Sequence, residues 1–197
     1  VTGPSAGPAT PRVLVVVATA AEAAHVPAGY DVLVTGMGKT AAACAVAGRL
    51  GGCAASPNSL DGLTVVNLGT AGALHARHVG LFEPGVVLNH DLSADAIRAL
   101  GDDPRERLVV GESPITLATG DVFVTDPVVR DRLAARADLV DMEGYAVAYV
   151  AAAFGVPLRI LKHVSDTADE SALAWNDVVD HSARALAGAL VAACPLD

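Results

Sequence analysis

Apolar residues arrive in short, Val-rich bursts separated by glycines and polar turns, and this rhythm predicts the order of the elements. Residues 13–18 (VLVVVA) are apolar, β-branched and too few for a core helix, so they read as a strand buried on both faces. Residues 31–35 (DVLVT) read as a second strand entering the glycine pair of GMGK, and AAEAAHV between the two as a short helix or loop. Ala-rich residues 39–50 predict a helix stopped by Gly51 and Gly52. Residues 63–68 (LTVVNL) predict a third buried strand that ends at Gly69. Residues 86–89 and 117–119 flank a polar, charged stretch, 102–112, which reads as a mobile surface excursion. Residues 126–135 predict a helix with Asp126 as its N-cap and Pro127 at the first helical position. A short strand over 138–142 then leads into a helix over 143–154, ended by Gly155 and Pro157. Residues 158–164 (LRILKHV) are the last predicted strand, running into Ser165 and Asp166, and residues 175–193 form a closing helix.

Alternation of strand and helix predicts an α/β fold: one domain with a central, mostly parallel mixed sheet flanked by helices. Residues 1–12 read as a flexible tail and 13–197 as the domain. In such sheets a ligand sits beyond the carboxyl ends of the strands. Residues 36–39, 69–72, 142–143 and 165–166 all fall where a predicted strand has just ended, so they are expected to converge on one rim.

Composition narrows the class. At 197 residues, 52% hydrophobic and 18% charged, the chain is long enough for a full globular core. With 13 basic against 22 acidic residues the formal net charge is −9, and no run of Lys or Arg occurs. That balance argues against nucleic acid or a membrane surface as partner and leaves a small molecule. Cys44, Cys53 and Cys194 share no metal-ligand spacing, and their odd number argues against a disulfide framework. Cys44 reads as a small core residue, and a reducing cytoplasm is the expected compartment. No apolar run reaches membrane-span length, and VTGPSAGPATPR lacks the pattern of a signal peptide.

Taken one at a time, the motifs are weak. GMGKT, residues 36–40, fails as a phosphate-binding loop because Leu33 stands where the first glycine is needed; Lys39 reads as solvated. NLGTAGAL, residues 67–74, offers backbone N–H groups and the Thr70 hydroxyl in a glycine turn. Glu143 in DMEGYAVA either complements a helix dipole or acts chemically. Met142 alone reads as core, and Ser165–Asp166 in KHVSDTADE alone as a cap. His90 and Asp91 read as a solvated turn, and His163 as a core or supporting residue.

The combination says more. ATAAEAAHV, TGMGKTAAA, NLGTAGAL, ATGDVFV, VDMEGYAVA and HVSDTAD, in this order, resemble the nucleoside phosphorylase and nucleosidase superfamily. The likeness is strongest to its hydrolytic branch, the methylthioadenosine/S-adenosylhomocysteine nucleosidases, and runs from about Val13 to the C-terminal helix. It implies that Glu143 contacts the ribose 2′- and 3′-hydroxyls, with Met142 packed on the sugar. It implies that Asp166, beside Ser165, protonates N7 of the leaving purine. Phe123 would stack on the base, the Val124 backbone would read its edge, and Trp175 would line the 5′ side. Glu22, the only acid in ATAAEAAHV, would activate the attacking water, and Thr70, Ala71 and Gly72 would line the sugar.

The chemistry suits these residue types. Cleaving an N-glycosidic bond develops positive charge on the ribose and negative charge on the base. A carboxyl donor assists the leaving group, and a carboxylate near the sugar stabilises the cation. Neither cofactor nor metal is implied. Phosphorylases of the superfamily hold phosphate with arginines; the equivalent positions here are the Arg-free ATAAEAAHV and Asn67, and Glu22 repels a dianion. Hydrolysis of a 5′-substituted adenosine is therefore expected, with a futalosine-type hydrolase, a purine nucleoside phosphorylase and a non-catalytic nucleoside-binding module as alternatives. The resemblance also implies a homodimer. Residues 89–115 form a shorter stretch than the nucleosidases have.

Overall fold

The computed structural model describes residues 12–55 and 60–196. The predicted tail therefore lies outside the described residues except at Arg12, which opens the first strand. In chain order the elements are β1 (Arg12–Val17), β2 (Asp31–Val34), α1 (Lys39–Ala54), β3 (Leu63–Ala73), β4 (Leu81–Phe82) and β5 (Val86–Asn89). They continue with α2 (Ala94–Ala99), β6 (Arg107–Val109), β7 (Thr116–Thr119), α3 (Pro127–Ala134), β8 (Leu139–Asp141) and α4 (Gly144–Phe154). The last are β9 (Leu158–Asp166), a 3₁₀ turn (Glu170–Ala174) and α5 (Trp175–Ala193).

The sheet runs β2-β1-β3-β8-β7-β5-β6, with β9 on β3 and β4 on β9. Parallel pairing dominates; β3–β8, β4–β9 and β5–β6 are antiparallel. The sheet forks at β3, whose first half pairs with β1 while its last residues, Gly72 and Ala73, pair with β8. β9 follows β3 along nearly its whole length and slips register between Ala71 and Gly72.

Period-two alternation in β1 feeds two cores. Leu14 and Val16 join Val65 against Ala42, Val46 and Leu50 of α1 and Val147 and Val150 of α4. Val15 and Val17 join Val66 and Leu68 against Leu186 and Leu190 of α5. The buried positions of α5 (Val179, Ser182, Ala183, Leu186, Ala187 and Leu190) recur at three- and four-residue steps, one stripe of a helix. Burial of each such leucine contributes about 1.5–3 kcal/mol.

Several boundaries and environments differ from expectation for identifiable reasons. α1 runs through Gly51 and Gly52 to Ala54, because neither glycine takes the left-handed conformation that ends a helix. Gly155 does take it, with φ 66°, and ends α4 as predicted. Asp126 caps α3, its side chain accepting from the Val128 N–H at 2.8 Å. The 102–112 stretch is not wholly irregular, since β6 within it pairs with β5. Cys44 is exposed on α1 instead of buried, because the inward stripe of that helix is Ala42, Val46 and Leu50.

The largest difference concerns NLGTAGAL. No turn forms there: β3 continues through Gly69 and Gly72 to Ala73. The glycines allow close approach instead. A Cβ at Gly69 would lie 3.0 Å from Glu22 Oε1 and 3.1 Å from Lys162 Nζ. One at Gly72 would lie 2.9 Å from Asp166 Oδ1 and 3.0 Å from the Ala168 Cβ. Gly72→Ala is therefore expected to lower stability by about 1–3 kcal/mol as overpacking does, measured by urea unfolding. Unchanged stability would mean that the Asp166 segment yields freely.

Candidate active site

A cavity of about 410 Å³ opens where β3, β8 and β9 end, between the 19–22 turn, the 120–124 segment and the start of α5. All eleven residues singled out from the sequence line it: Glu22, Thr70, Ala71 and Gly72 on one wall, Phe123, Val124, Met142 and Glu143 on another, Ser165, Asp166 and Trp175 closing the third.

Glu22 is only 4% exposed, and both of its oxygens accept hydrogen bonds. Its Oε1 accepts from the Thr70 N–H at 2.8 Å and the Thr70 hydroxyl at 3.0 Å. Its Oε2 accepts from the Thr19 N–H at 3.1 Å and the Thr19 hydroxyl at 3.2 Å. The Trp175 indole N–H in turn donates to Thr70 Oγ1 at 2.9 Å, so the first turn of α5 is tied through Thr70 to Glu22.

Glu143 occupies the N-cap position of α4 yet makes no capping bond with its side chain. Capping passes to neighbouring strands instead. Asp141 Oδ2 accepts from the Gly144 N–H at 2.8 Å, and Thr119 Oγ1 accepts from the Tyr145 N–H at 2.9 Å. The Glu143 carboxylate is thus released toward the cavity, where its Oε1 accepts from the Gly38 N–H at 2.8 Å. Burial, followed by the negative charge of Asp141, pushes its pKa up to about 7.

Asp166 accepts from the Ala168 N–H at 2.8 Å through Oδ1 and from the Ser165 hydroxyl at 2.7 Å through Oδ2. The bond to Ala168 folds the chain back after β9 and aims the carboxyl into the cavity. Phe123 stands half-exposed at the mouth, and Val124 is buried behind it.

Two further residues belong to the site that the sequence reading passed over. Lys162 is 1% exposed, and its ammonium donates to Asp141 Oδ2 at 2.9 Å. Burial works against its charge, but Asp141, Glu143 and Glu22 outweigh it and hold the pKa above the usual lysine value. Asp141 also accepts from the Thr119 hydroxyl at 2.6 Å, so it anchors both the lysine and α4. A signal was available: Lys162 shares the inward face of β9 with Ile160, two residues away in an apolar strand.

Lys39, read as solvated, is tied down. Its ammonium donates to Asn89 Oδ1 at 2.9 Å and to Asp91, and its backbone N–H donates to Asp121 Oδ1 at 2.7 Å. Asp121 in turn donates its N–H to Asp91 at 2.8 Å. This network fixes the segment carrying Phe123 against the turn carrying Gly38, and Asp91 is accordingly no free turn residue. His163 bonds Ser182 of α5 at 3.0 Å and does not line the cavity.

A family model described as the phosphorylase superfamily matches residues 83–194. An aminodeoxyfutalosine nucleosidase of Helicobacter pylori is 38% identical over 71 residues, covering 34% of this chain and 31% of the relative. A 5′-methylthioadenosine/S-adenosylhomocysteine nucleosidase of Treponema pallidum is 42% identical over 79 residues, covering 38% and 28%. The chain thus spans about a third of the length of the curated relatives it matches. The solved 5′-methylthioadenosine/S-adenosylhomocysteine nucleosidase of Helicobacter pylori, bound to butyl-thio-DADMe-Immucillin-A, superposes with a TM-score of 0.76. That likeness covers 92% of this chain and 97% of the other at 22% identity, and it is one of fold.

Proposed function

The chain belongs to the phosphorylase superfamily, and from that premise we propose that it hydrolyses the N-glycosidic bond of a purine nucleoside, a 5′-substituted adenosine, with water as acceptor. One observation carries the choice of water. Among the described residues the cavity is lined by four acids, Glu22, Asp141, Glu143 and Asp166, and by no Lys, Arg or His. The nearby cation, Lys162, is buried and bonded to Asp141. A phosphate dianion would meet carboxylates without a counter-charge.

Each group then has a task. Glu143 accepts hydrogen bonds from the ribose 2′- and 3′-hydroxyls, and its charge favours the oxocarbenium-like sugar. Asp166 donates a proton to N7 as the C1′–N9 bond breaks, and Glu22 takes a proton from the attacking water. Phe123 stacks on the base, Val124 reads its edge, Met142 packs on the sugar, and Trp175 flanks the 5′ carbon. The half-exposed apolar side chains around the mouth fit a second copy of the chain, so we read the enzyme as a homodimer. No helix of the described residues is long and apolar enough to cross a membrane; with three free cysteines we place the protein in the cytoplasm.

A futalosine-type hydrolase, with the same chemistry and a bulkier 5′ group, is the second reading, favoured by the Helicobacter pylori relative's name. Chromatography of a nucleoside panel separates the two. Adenine released from 5′-alkylthioadenosines supports the first, and release only from nucleosides with a bulkier 5′ group or a 6-oxo base supports the second. Absence of free base from every nucleoside overturns both.

The acid limb of kcat/KM is expected to have its midpoint near pH 7. Glu143 acts as the anion, so protonation below that pH removes it. Asp141→Asn deletes a negative neighbour and should move the limb to lower pH; a limb that stays put would exclude Glu143 as its source.

A further inference from the structure

We infer, on the reading that this cavity holds a purine nucleoside, that Lys39, Asp91 and Asp121 are positioning residues: their closed ring of hydrogen bonds seats the base-bearing 120–124 segment and the Glu143 carboxylate together.

The 120–124 segment belongs to no strand or helix, so sheet pairing does not place it. It leaves the end of β7 and brings Phe123 and Val124 to the cavity wall. An irregular segment keeps one conformation only where other groups hold its backbone. Here the Gly120 N–H donates to the Asp141 carbonyl at 3.2 Å, and the Asp121 N–H donates to Asp91 Oδ2 at 2.8 Å. The His90 ring fills the space that a side chain at position 120 would take.

The bonds beyond Asp121 close on themselves. The Lys39 ammonium donates to Asp91 Oδ1, Asp91 Oδ2 accepts from the Asp121 N–H, and Asp121 Oδ1 accepts from the Lys39 N–H at 2.7 Å. Each residue uses two different atoms, so no bond in the ring substitutes for another. Lys39 Nζ also donates to Asn89 Oδ1 at 2.9 Å, which anchors the ring to the end of β5. Burial would raise the Asp91 pKa, but the bonds from Lys39 and Asp121 outweigh it and hold the carboxyl below its usual value.

The ring reaches both the base side and the sugar side. Asp121 stands two residues before Phe123. Lys39 opens α1 and adjoins Gly38, whose N–H donates to Glu143 Oε1 at 2.8 Å. Gly38 takes φ 92°, and Asp121 Oδ1 lies 3.1 Å from where its Cβ would stand, so this turn is shaped against Asp121. Burial, Asp141 and Glu22 raise the Glu143 pKa, while Lys162 and the Gly38 N–H lower it. Opening the ring therefore frees Phe123 and weakens a bond that favours the Glu143 anion.

Lys39→Met and Asp91→Asn test the inference, because charge and position pull apart in them. Both side chains are partly exposed, so neither variant leaves a buried gap. Asparagine keeps the shape of Asp91 but turns an amide NH2 toward one of its two donors. Charge alone would move the acid limb of kcat/KM up in Lys39→Met, which loses a cation, and down in Asp91→Asn, which loses an anion. Opening the ring moves it up in both, by roughly half a pH unit. His90, next to Asp91, is pushed below the usual imidazole range by burial and adds no charge at the limb. Each variant is expected to lower kcat/KM for 5′-methylthioadenosine at pH 7 by about tenfold or more and to weaken the binding of free adenine in equilibrium dialysis. The double variant should lose no more than either single one, since the ring opens only once. Limbs that move in opposite directions or keep the parent's midpoint, adenine held as tightly as by the parent, or additive losses in the double variant would each overturn the inference and leave the nucleosidase reading standing. A parent enzyme that releases no base from any nucleoside would overturn the nucleosidase reading, and the inference with it.

Discussion

Lys162→Met is expected to cost about 3–5 kcal/mol of folding stability at neutral pH and to abolish base release. The side chain is 1% exposed, and its ammonium is bonded to Asp141 at 2.9 Å with Glu143 and Glu22 nearby. Methionine fills much the same volume, so packing survives. The Asp141 carboxylate, however, is left buried with only the Thr119 hydroxyl and the Gly144 N–H as donors. An uncompensated buried charge is what makes breaking such a pair costly, whereas removing both partners is far milder. The double variant Lys162→Met, Asp141→Asn should therefore recover most of the stability without the activity. Urea unfolding of the two single variants and the double variant measures the coupling. A single variant as stable as the parent would mean that the lysine contributes nothing net.

Glu143→Gln is expected to act in opposite directions on activity and stability. Base release should fall by about a hundredfold or more, since a neutral amide cannot favour the sugar cation. Stability should rise at pH 8. The folded-state pKa of about 7 lies above the ordinary 4.5 because burial, and then Asp141, disfavours the anion. A carboxyl with a raised folded pKa costs nothing below pH 4.5, an increasing amount between 4.5 and 7, and its full penalty above 7. That penalty is about 3 kcal/mol, and glutamine, which keeps an acceptor for the Gly38 N–H, escapes it. Unfolding at pH 4 and pH 8 is the measurement. A variant that gains no more at pH 8 than at pH 4 would show that the carboxylate is not held under strain.

What the sequence made legible was decided mostly by local physics. The Val-rich strands, the Asp126–Pro127 helix start and the left-handed stop at Gly155 depend on few neighbours. Placement of the acids at strand ends follows from the general geometry of parallel sheets. What was hidden depended on contacts between distant segments. Gly69 and Gly72 look like turn residues until Glu22, Lys162 and Asp166 are seen pressing on β3. Lys39 looks solvated because its partners, Asn89, Asp91 and Asp121, lie 50 or more residues away in the chain. Lys162 left one sign in the sequence, its place among the apolar residues of β9, but its role comes from Asp141, Glu143 and Glu22, which distant segments bring to it. Asp141 was hidden in the same way, because Lys162 and Thr119, which it binds, come from other strands.

Hydrolysis by water at this cavity is the claim on which the account turns, and phosphate dependence is its most direct measure. Progress curves for adenine and reducing sugar from 5′-methylthioadenosine should be the same in phosphate-free buffer and in millimolar phosphate, with the two products in equal amounts. Base release that requires phosphate and yields a sugar 1-phosphate would contradict it.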